Sequence, residues 1–484
     1  MHTVQSPHPM TLCSAALVVA LGCDPSAQKT PSSAKSDTGH GPSGHDTGPE
    51  GDTPDPAFTL GQVLPCPAPL DQPSWREGSQ SAGLPSRPDD GRETREATYL
   101  AVHDFDEDGD LDIFLFPAGG SPEAPEEPPT LMRQESGHFT AEPFDHIAPL
   151  WQPTLGDMEG DGDLDLLIGG AAQWLRADGA DLTAQPMYQP DGIFATFARE
   201  MEGHDVDGDG FLDLFVLTAH PDGDPQYFRD YILWGDGAGG FRKDYTALTE
   251  PASTGMGFDA QWLDWDSDGF SEIYVANDQG HAFGANRLWQ PQVEPWTDLA
   301  PELSADIAHS AMGVDAGDLN RDGFPDLYLT ASGANVLLMS QPDGTFVDMT
   351  LALQADPLQD VSHYEAMGWG GLWVDYDNDG WRDIIHTQGD WWEPPDGPRP
   401  EASIDLMRWT GEHFVHTGPE VGIDATGSFR GVVALDFNAD GLQDFVISSV
   451  FGRPLLYLSQ GCTAHAWLAV EAHRPAWSAS PPVA

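Results

Sequence analysis

The sequence predicts an all-β chain folded as a seven-bladed β-propeller, and three observations carry that prediction. A nine-residue acidic pattern is written seven times, its copies starting 53, 48, 59, 54, 57 and 61 residues apart. Each copy runs into a short apolar segment rich in β-branched and aromatic residues. Ile113-Phe114-Leu115-Phe116, Leu214-Phe215-Val216-Leu217 and Phe445-Val446-Ile447 are examples, and this is the composition of buried strands. No window of the 484 residues has sustained helical periodicity.

Read in register, position one of the pattern is Asp104, Asp157, Asp205, Asp264, Asp318, Asp375 and Asp436. Position three is Asp106, Glu159, Asp207, Asp266, Asn320, Asp377 and Asn438, and position five is Asp108, Asp161, Asp209, Asp268, Asp322, Asp379 and Asp440. Position nine is Asp112, Asp165, Asp213, Glu272, Asp326, Asp383 and Asp444. Position six is glycine every time, from Gly109 to Gly441, as a sharp turn through positive φ requires. Alternate oxygen-bearing side chains around a tight turn make a cage for a hard cation. Calcium takes six to eight oxygens from carboxylates, carbonyls and water. Position seven varies freely (Asp110, Asp163, Phe211, Phe270, Phe324, Trp381, Leu442), which suits a ligand that coordinates through its backbone carbonyl. Position two is apolar in every copy, from Phe105 to Phe437, and pins each loop to a core.

An EF-hand shares the start of this pattern but ends in a bidentate Glu at position twelve between helices. Here position twelve is Leu115, Ile168, Val216, Val275, Leu329, His386 and Ile447. Solvated turns that bind nothing would account for one or two copies. Seven copies with the same fixed positions predict up to seven calcium ions.

Each unit also carries a second strand pair around a turn, as in Trp234-Gly235-Asp236-Gly237 before Phe241, Gln341 to Phe346, and Gly411-Glu412-His413-Phe414. Four short strands in a repeat of this length make a propeller blade, and blades close into rings. The propeller is expected over 57–472. Residues 1–23 read as an export signal whose apolar run Leu12 to Cys23 is too short to span a bilayer. It ends Ala20-Leu21-Gly22-Cys23 and resembles a bacterial lipobox, which makes Cys23 the expected lipidation site; plain secretion is the alternative. Residues 24–56, dominated by Ser, Thr, Gly, Pro, Asp and His, read as a disordered tether, and 473–484 as a tail.

The repeats resemble the FG-GAP, or VCBS, repeats of integrin α-subunit propellers over about residues 97–460. Met312-Gly313-Val314-Asp315-Ala316-Gly317-Asp318, Ile273 to Asp278 and Asn335 to Leu338 resemble more closely the bacterial ASPIC/UnbV and cartilage-acidic-protein group. That group usually carries a further C-terminal domain, and His465 to Glu471 looks like only its opening strand. The resemblance implies that the metals are structural and that the opposite face carries recognition. Asp390 to Gly397, with Trp391 and Trp392 in a Pro-rich insertion, is the candidate ligand surface. Packing of both tryptophans within their blade is the plainer alternative. The Met-Gly pairs at 256, 312 and 367 read as close-packed inner-strand positions.

Cys13 lies in the signal and Cys23 in the lipobox, leaving Cys66 and Cys462. They stand just before the first blade and inside the last, which a ring sets side by side, so an exported chain is expected to join them in a disulfide; two unpaired buried thiols are the alternative.

The formal net charge is −59, from 79 acids against 20 Lys plus Arg, and seven calcium ions would leave −45. Such a surface repels nucleic acid and anionic headgroups, so a membrane is met only through the lipid anchor. The 17 histidines show no zinc-type spacing, and there is no nucleophile elbow or phosphate loop. The sequence therefore predicts a non-enzymatic, surface-exposed or secreted adhesion or recognition module for a protein or glycan. The alternative is an exported polysaccharide lyase or hydrolase working from the central pocket.

Overall fold

The computed structural model describes residues 74–84, 99–116, 128–144, 153–168, 173–178, 181–186, 198–218, 229–248, 255–292, 294–356, 367–389, 403–438, 442–449 and 453–460. Within them lie seven four-stranded antiparallel sheets. The first strands of blades one to seven are Tyr99–His103, Pro153–Gly156, Ala198–His204, Gly257–Leu263, Ala311–Gly317, Gly368–Val374 and Phe429–Leu435. Each pairs with a second strand: Asp112–Phe116, Asp165–Ile168, Asp213–Thr218, Glu272–Asn277, Asp326–Ala331, Asp383–Gln388 and Asp444–Ser449. The third strands are Thr130–Glu135, Gln173–Asp178, Tyr231–Gly235, Arg287–Gln290, Val336–Ser340, Ile404–Trp409 and Leu455–Ser459.

The first strands contact one another in sequence around the molecule, and blade one's touches blade seven's. They form the inner wall of a closed ring, and the predicted propeller architecture holds. The apolar runs lie on the second strands, which are buried along their length in blades one and three to seven. Strands covered on both faces lose the alternation of a half-exposed sheet, hence the continuous runs. Phe215 and Phe445 pack into the cores between neighbouring blades. The predicted outer hairpins are present, turning between Gly235 and Phe241, Ser340 and Phe346, and Trp409 and Phe414.

Blade seven has an outer strand the sequence reading did not single out. Trp75–Glu77 pairs with Leu455–Ser459 in the register Trp75 opposite Ser459. The start of the described chain thus completes the last sheet and closes the seam. Trp75 is buried there against Tyr376 and Phe445 and donates its indole N–H to the Gln443 carbonyl at 2.9 Å.

Neighbouring blades are also tied by inner-strand carboxylates. Asp259 accepts the Val314 N–H and Asp315 the Trp373 N–H, both at 2.8 Å. Met312 and Met367 pack with Phe258 and Trp369, in line with the close-packed reading of the Met-Gly pairs.

Candidate metal centres

Each acidic repeat is the turn from first to second strand, so all seven are set at equivalent places in the ring. The position-one carboxylate organises the turn. Asp104 accepts the N–H groups of Asp108 and Gly109 at 3.1 and 2.9 Å, and Asp318 those of Asp322 and Gly323 at 3.1 and 2.9 Å. Asp157 and Asp264 do the same. Position five then accepts the N–H of position seven, as Asp268 does from Phe270 at 2.9 Å. The position-six glycines take φ of 83° to 101° in the six described turns. Gly441 and Asp440 lie outside the described residues, as do Cys23, Cys66, Cys462, Trp391 and Trp392.

Position four is a second left-handed residue that the sequence reading missed. Glu107, Gly160, Gly208, Ser267, Arg321 and Asn378 all have φ between 55° and 75°. The two glycines and the asparagine there, residue types that tolerate this region, were the available signal.

Position nine is buried and bonded more fully than a bare ligand would be. One oxygen of Asp112 accepts the Phe105 N–H, and the other the Gln134 N–H from the third strand at 2.7 Å. Asp165, Asp213, Asp326 and Asp444 repeat this two-sided staple. In blade four Glu272 instead takes a 2.8 Å bond from the Gln292 amide. Position two is buried beside it at Phe105, Met158, Leu319, Tyr376 and Phe437, and half-buried at Val206 and Trp265.

The structure gathers the predicted acids into tight groups. Oxygens of Asp104, Asp106 and Asp108 lie within 4.8 Å of one another, as do those of Asp205, Asp207 and Asp213, of Asp264, Asp266 and Glu272, and of Asp375, Asp377 and Asp383. Some have no hydrogen-bonded hydrogen facing them. Asp375 Oδ1, Asp383 Oδ2, Glu272 Oε2 and Asp205 Oδ1 are buried and accept no bond among the described residues.

Their protonation responds to that crowding. Burial pushes Asp112 and Asp326 up to about 6, Asp213 and Asp375 to about 7, and Asp165 and Glu272 to about 8, with neighbouring carboxylates adding to the rise. Buried oxygens without donors, in carboxyl groups that resist ionising, fit a divalent cation chemically. Arg133, Arg176 and Arg408 also reach into three of the loops. The sequence reading assigned them no role.

The signature of the FG-GAP-like repeat matches residues 104–168, 205–275, 264–329 and 318–386. The chain belongs to the FG-GAP-like repeat family. No curated protein sequence matches it significantly. Among solved structures, an Agrocybe aegerita lectin that recognises non-reducing terminal N-acetylglucosamine is similar at 17% identity, covering 66% of this chain and 79% of that one, with a TM-score of 0.43. YCF48 from Cyanidioschyzon merolae is similar at 10% identity, covering 79% and 98%, with a TM-score of 0.46. The V. cholerae biofilm matrix protein Bap1 is similar at 14%, covering 71% of this chain and 42% of that one, with a TM-score of 0.29. At scores this low none of them bears on what this chain binds.

Two polar groupings in this FG-GAP propeller lie outside the loops. Glu200, Glu202 and Asp259 bring three carboxylate oxygens together on the inner strands of blades three and four. Asp259 bonds the Glu200 side chain there as well as the Val314 N–H. In blade six, Asp405 meets His386 at 3.2 Å and His416 at 2.9 Å, while Tyr328 of blade five bonds His386 at 3.1 Å. His386 and Asp405 are buried, so this network ties blade five to blade six. Sequence spacing concealed both, because their members come from different strands.

Proposed function

We propose that this FG-GAP propeller is stiffened by calcium and serves, outside the cytoplasm, as an adhesion or recognition module for a protein or glycan. The carrying observation is the set of buried carboxylate oxygens without hydrogen-bond donors, Asp375 Oδ1, Asp383 Oδ2 and Glu272 Oε2 foremost. In each loop, positions one, three, five and nine would hold the ion together with the position-seven carbonyl. Calcium supplies the positive charge that lets these carboxylates stay ionised side by side. The loops occupy the turns of every blade, so the metal's role in this reading is mechanical, and recognition belongs to the opposite connections, where loops are free to vary. The stretch Met312 to Asp318 supports a place near the ASPIC/UnbV group, and the signal with its lipobox-like end supports export and anchoring at Cys23.

The test joins stability to binding. Stripping calcium should lower the melting temperature by many degrees, and readdition should restore it. A glycan array and a pull-down, each run with and without calcium, should show calcium-dependent capture. An unchanged melt defeats the calcium reading, and release of oligosaccharides from polysaccharide would replace the recognition module with an enzyme.

A further inference from the structure

The seven loops share one sequence pattern but differ in charge, and the difference comes from the third strand in some blades and from position three of the loop in others. The position facing the loop there is identified by the next residue, whose N–H bonds the position-nine carboxylate in blades one, two, three, five, six and seven. It is Arg133, Arg176 and Arg408 in blades one, two and six. In blade one Arg133 reaches Asp106 at 2.8 Å, and in blade two Arg176 pairs with Glu159 and reaches Asp161 at 3.3 Å. In blade six Arg408 reaches Asp377 at 2.7 Å and Asp379 at 3.2 Å. Blades five and seven have neutral residues there, Met339 and Leu458, but their position three is already neutral, Asn320 and Asn438.

Blades three and four escape both devices. Strand register puts Trp234 and Gln290 at the third-strand position, while position three remains acidic as Asp207 and Asp266. Four carboxylates stand there with no basic partner among the described residues. Glu272 Oε2, fully buried, and Asp205 Oδ1 are left without a donor, as are Asp106 Oδ1, Glu159 Oε2, Asp375 Oδ1 and Asp383 Oδ2 in the loops that an arginine faces, so it is the facing charge that separates the two groups.

We propose that the loops of blades three and four are the two tight calcium sites of the ring, and that a guanidinium or an asparagine weakens the other five. This rests on the calcium reading above and adds a division that the repeat pattern alone does not give. Calcium affinity is set by the charge count and rigidity of its ligands. A guanidinium within hydrogen-bond reach of the position-three carboxylate repels a divalent ion in the same cage and competes for its oxygens. An asparagine removes one of the four charges. Counted over the side chains at positions one, three, five and nine together with the facing arginine, five loops therefore carry three net negative charges, by two different routes, and two carry four. Asp110 and Asp163 at position seven of blades one and two stand outside this count, Asp110 accepting the Ser136 N–H.

Calcium titration of the stripped full-length chain, by calorimetry and equilibrium dialysis, tests this. We expect a biphasic isotherm in which two ions bind roughly tenfold or more tighter than the rest. Asp207→Asn should leave one tight ion, and Arg408→Gln should create a third; Arg133→Gln asks the same of blade one should R408Q not fold. Seven equivalent ions would overturn the division while leaving the calcium reading standing. Binding weakened by the arginine variants would overturn it too, because the guanidinium would then be a positioning group. A chain that takes up no calcium would overturn the reading beneath it.

Discussion

Asp383 is fully buried at position nine of blade six, with one oxygen on the Trp409 N–H at 2.7 Å and the other without a donor. Burial and the facing Asp377 hold its carboxyl well above the usual range. The same cause pushes Asp165 and Glu272 up to about 8, and Asp213, Asp375 and the inner-strand Asp315 to about 7. Unfolded carboxyls titrate near 4. Between about pH 4 and pH 8 the folded metal-free chain therefore binds more protons than the unfolded one, and its stability falls as pH rises through that window. Melts of calcium-stripped protein should be several degrees higher at pH 5 than at pH 8. With calcium bound the decline should flatten, since the ion replaces the protons. A stripped protein that gains stability from pH 5 to pH 8 would contradict the assignment of these raised carboxyls.

At the scale of the element, what the sequence disclosed depended on whether the constraint was local. The acids and the glycine of each loop answer to neighbours within nine residues, so they stand at fixed spacing, and the second strands betray themselves by being apolar on both faces. The arginine bridges were illegible because Arg133 and Arg408 lie 27 and 31 residues from their loop partners, on a strand whose spacing from the loop varies between blades. The seam strand was harder still, since Trp75-Arg76-Glu77 is too short to show a period and pairs with residues more than 370 positions away. Its importance is physical. It supplies the fourth strand of blade seven, and Arg453 bonds Glu77 across it at 2.9 Å. Removing the chain through Leu84 should expose the edge of Leu455–Ser459, lower the melting temperature and promote aggregation through the unpaired edge. Trp75→Ala alone should cost about 3–5 kcal/mol, as for other buried tryptophans. A truncated ring with an unchanged melt and no association on size-exclusion chromatography would show that the seam strand is dispensable.

For the whole molecule the controlling quantity is charge. A formal −59 over the 484 residues, with clusters of three carboxylates inside 4.8 Å in the ring, makes the compact state repel itself. Two remedies act differently. Monovalent salt screens over a distance of about 10 Å at 0.1 M and works on separated surface charges, but it barely reaches a buried oxygen such as Glu272 Oε2. On the proposed reading calcium would enter the turns themselves, each ion contributing roughly 2.7 kcal/mol at a hundredfold excess over its dissociation constant. Raising sodium chloride on the stripped chain should therefore recover a small part of the melting temperature and then level off. Micromolar to millimolar calcium at low salt should recover the remainder. Magnesium, which demands a small octahedral site and gives up its water reluctantly, should recover much less. If sodium chloride alone restored the full melting temperature, dispersed surface repulsion would govern the ring, and the loops would be acidic turns with no structural need of an ion.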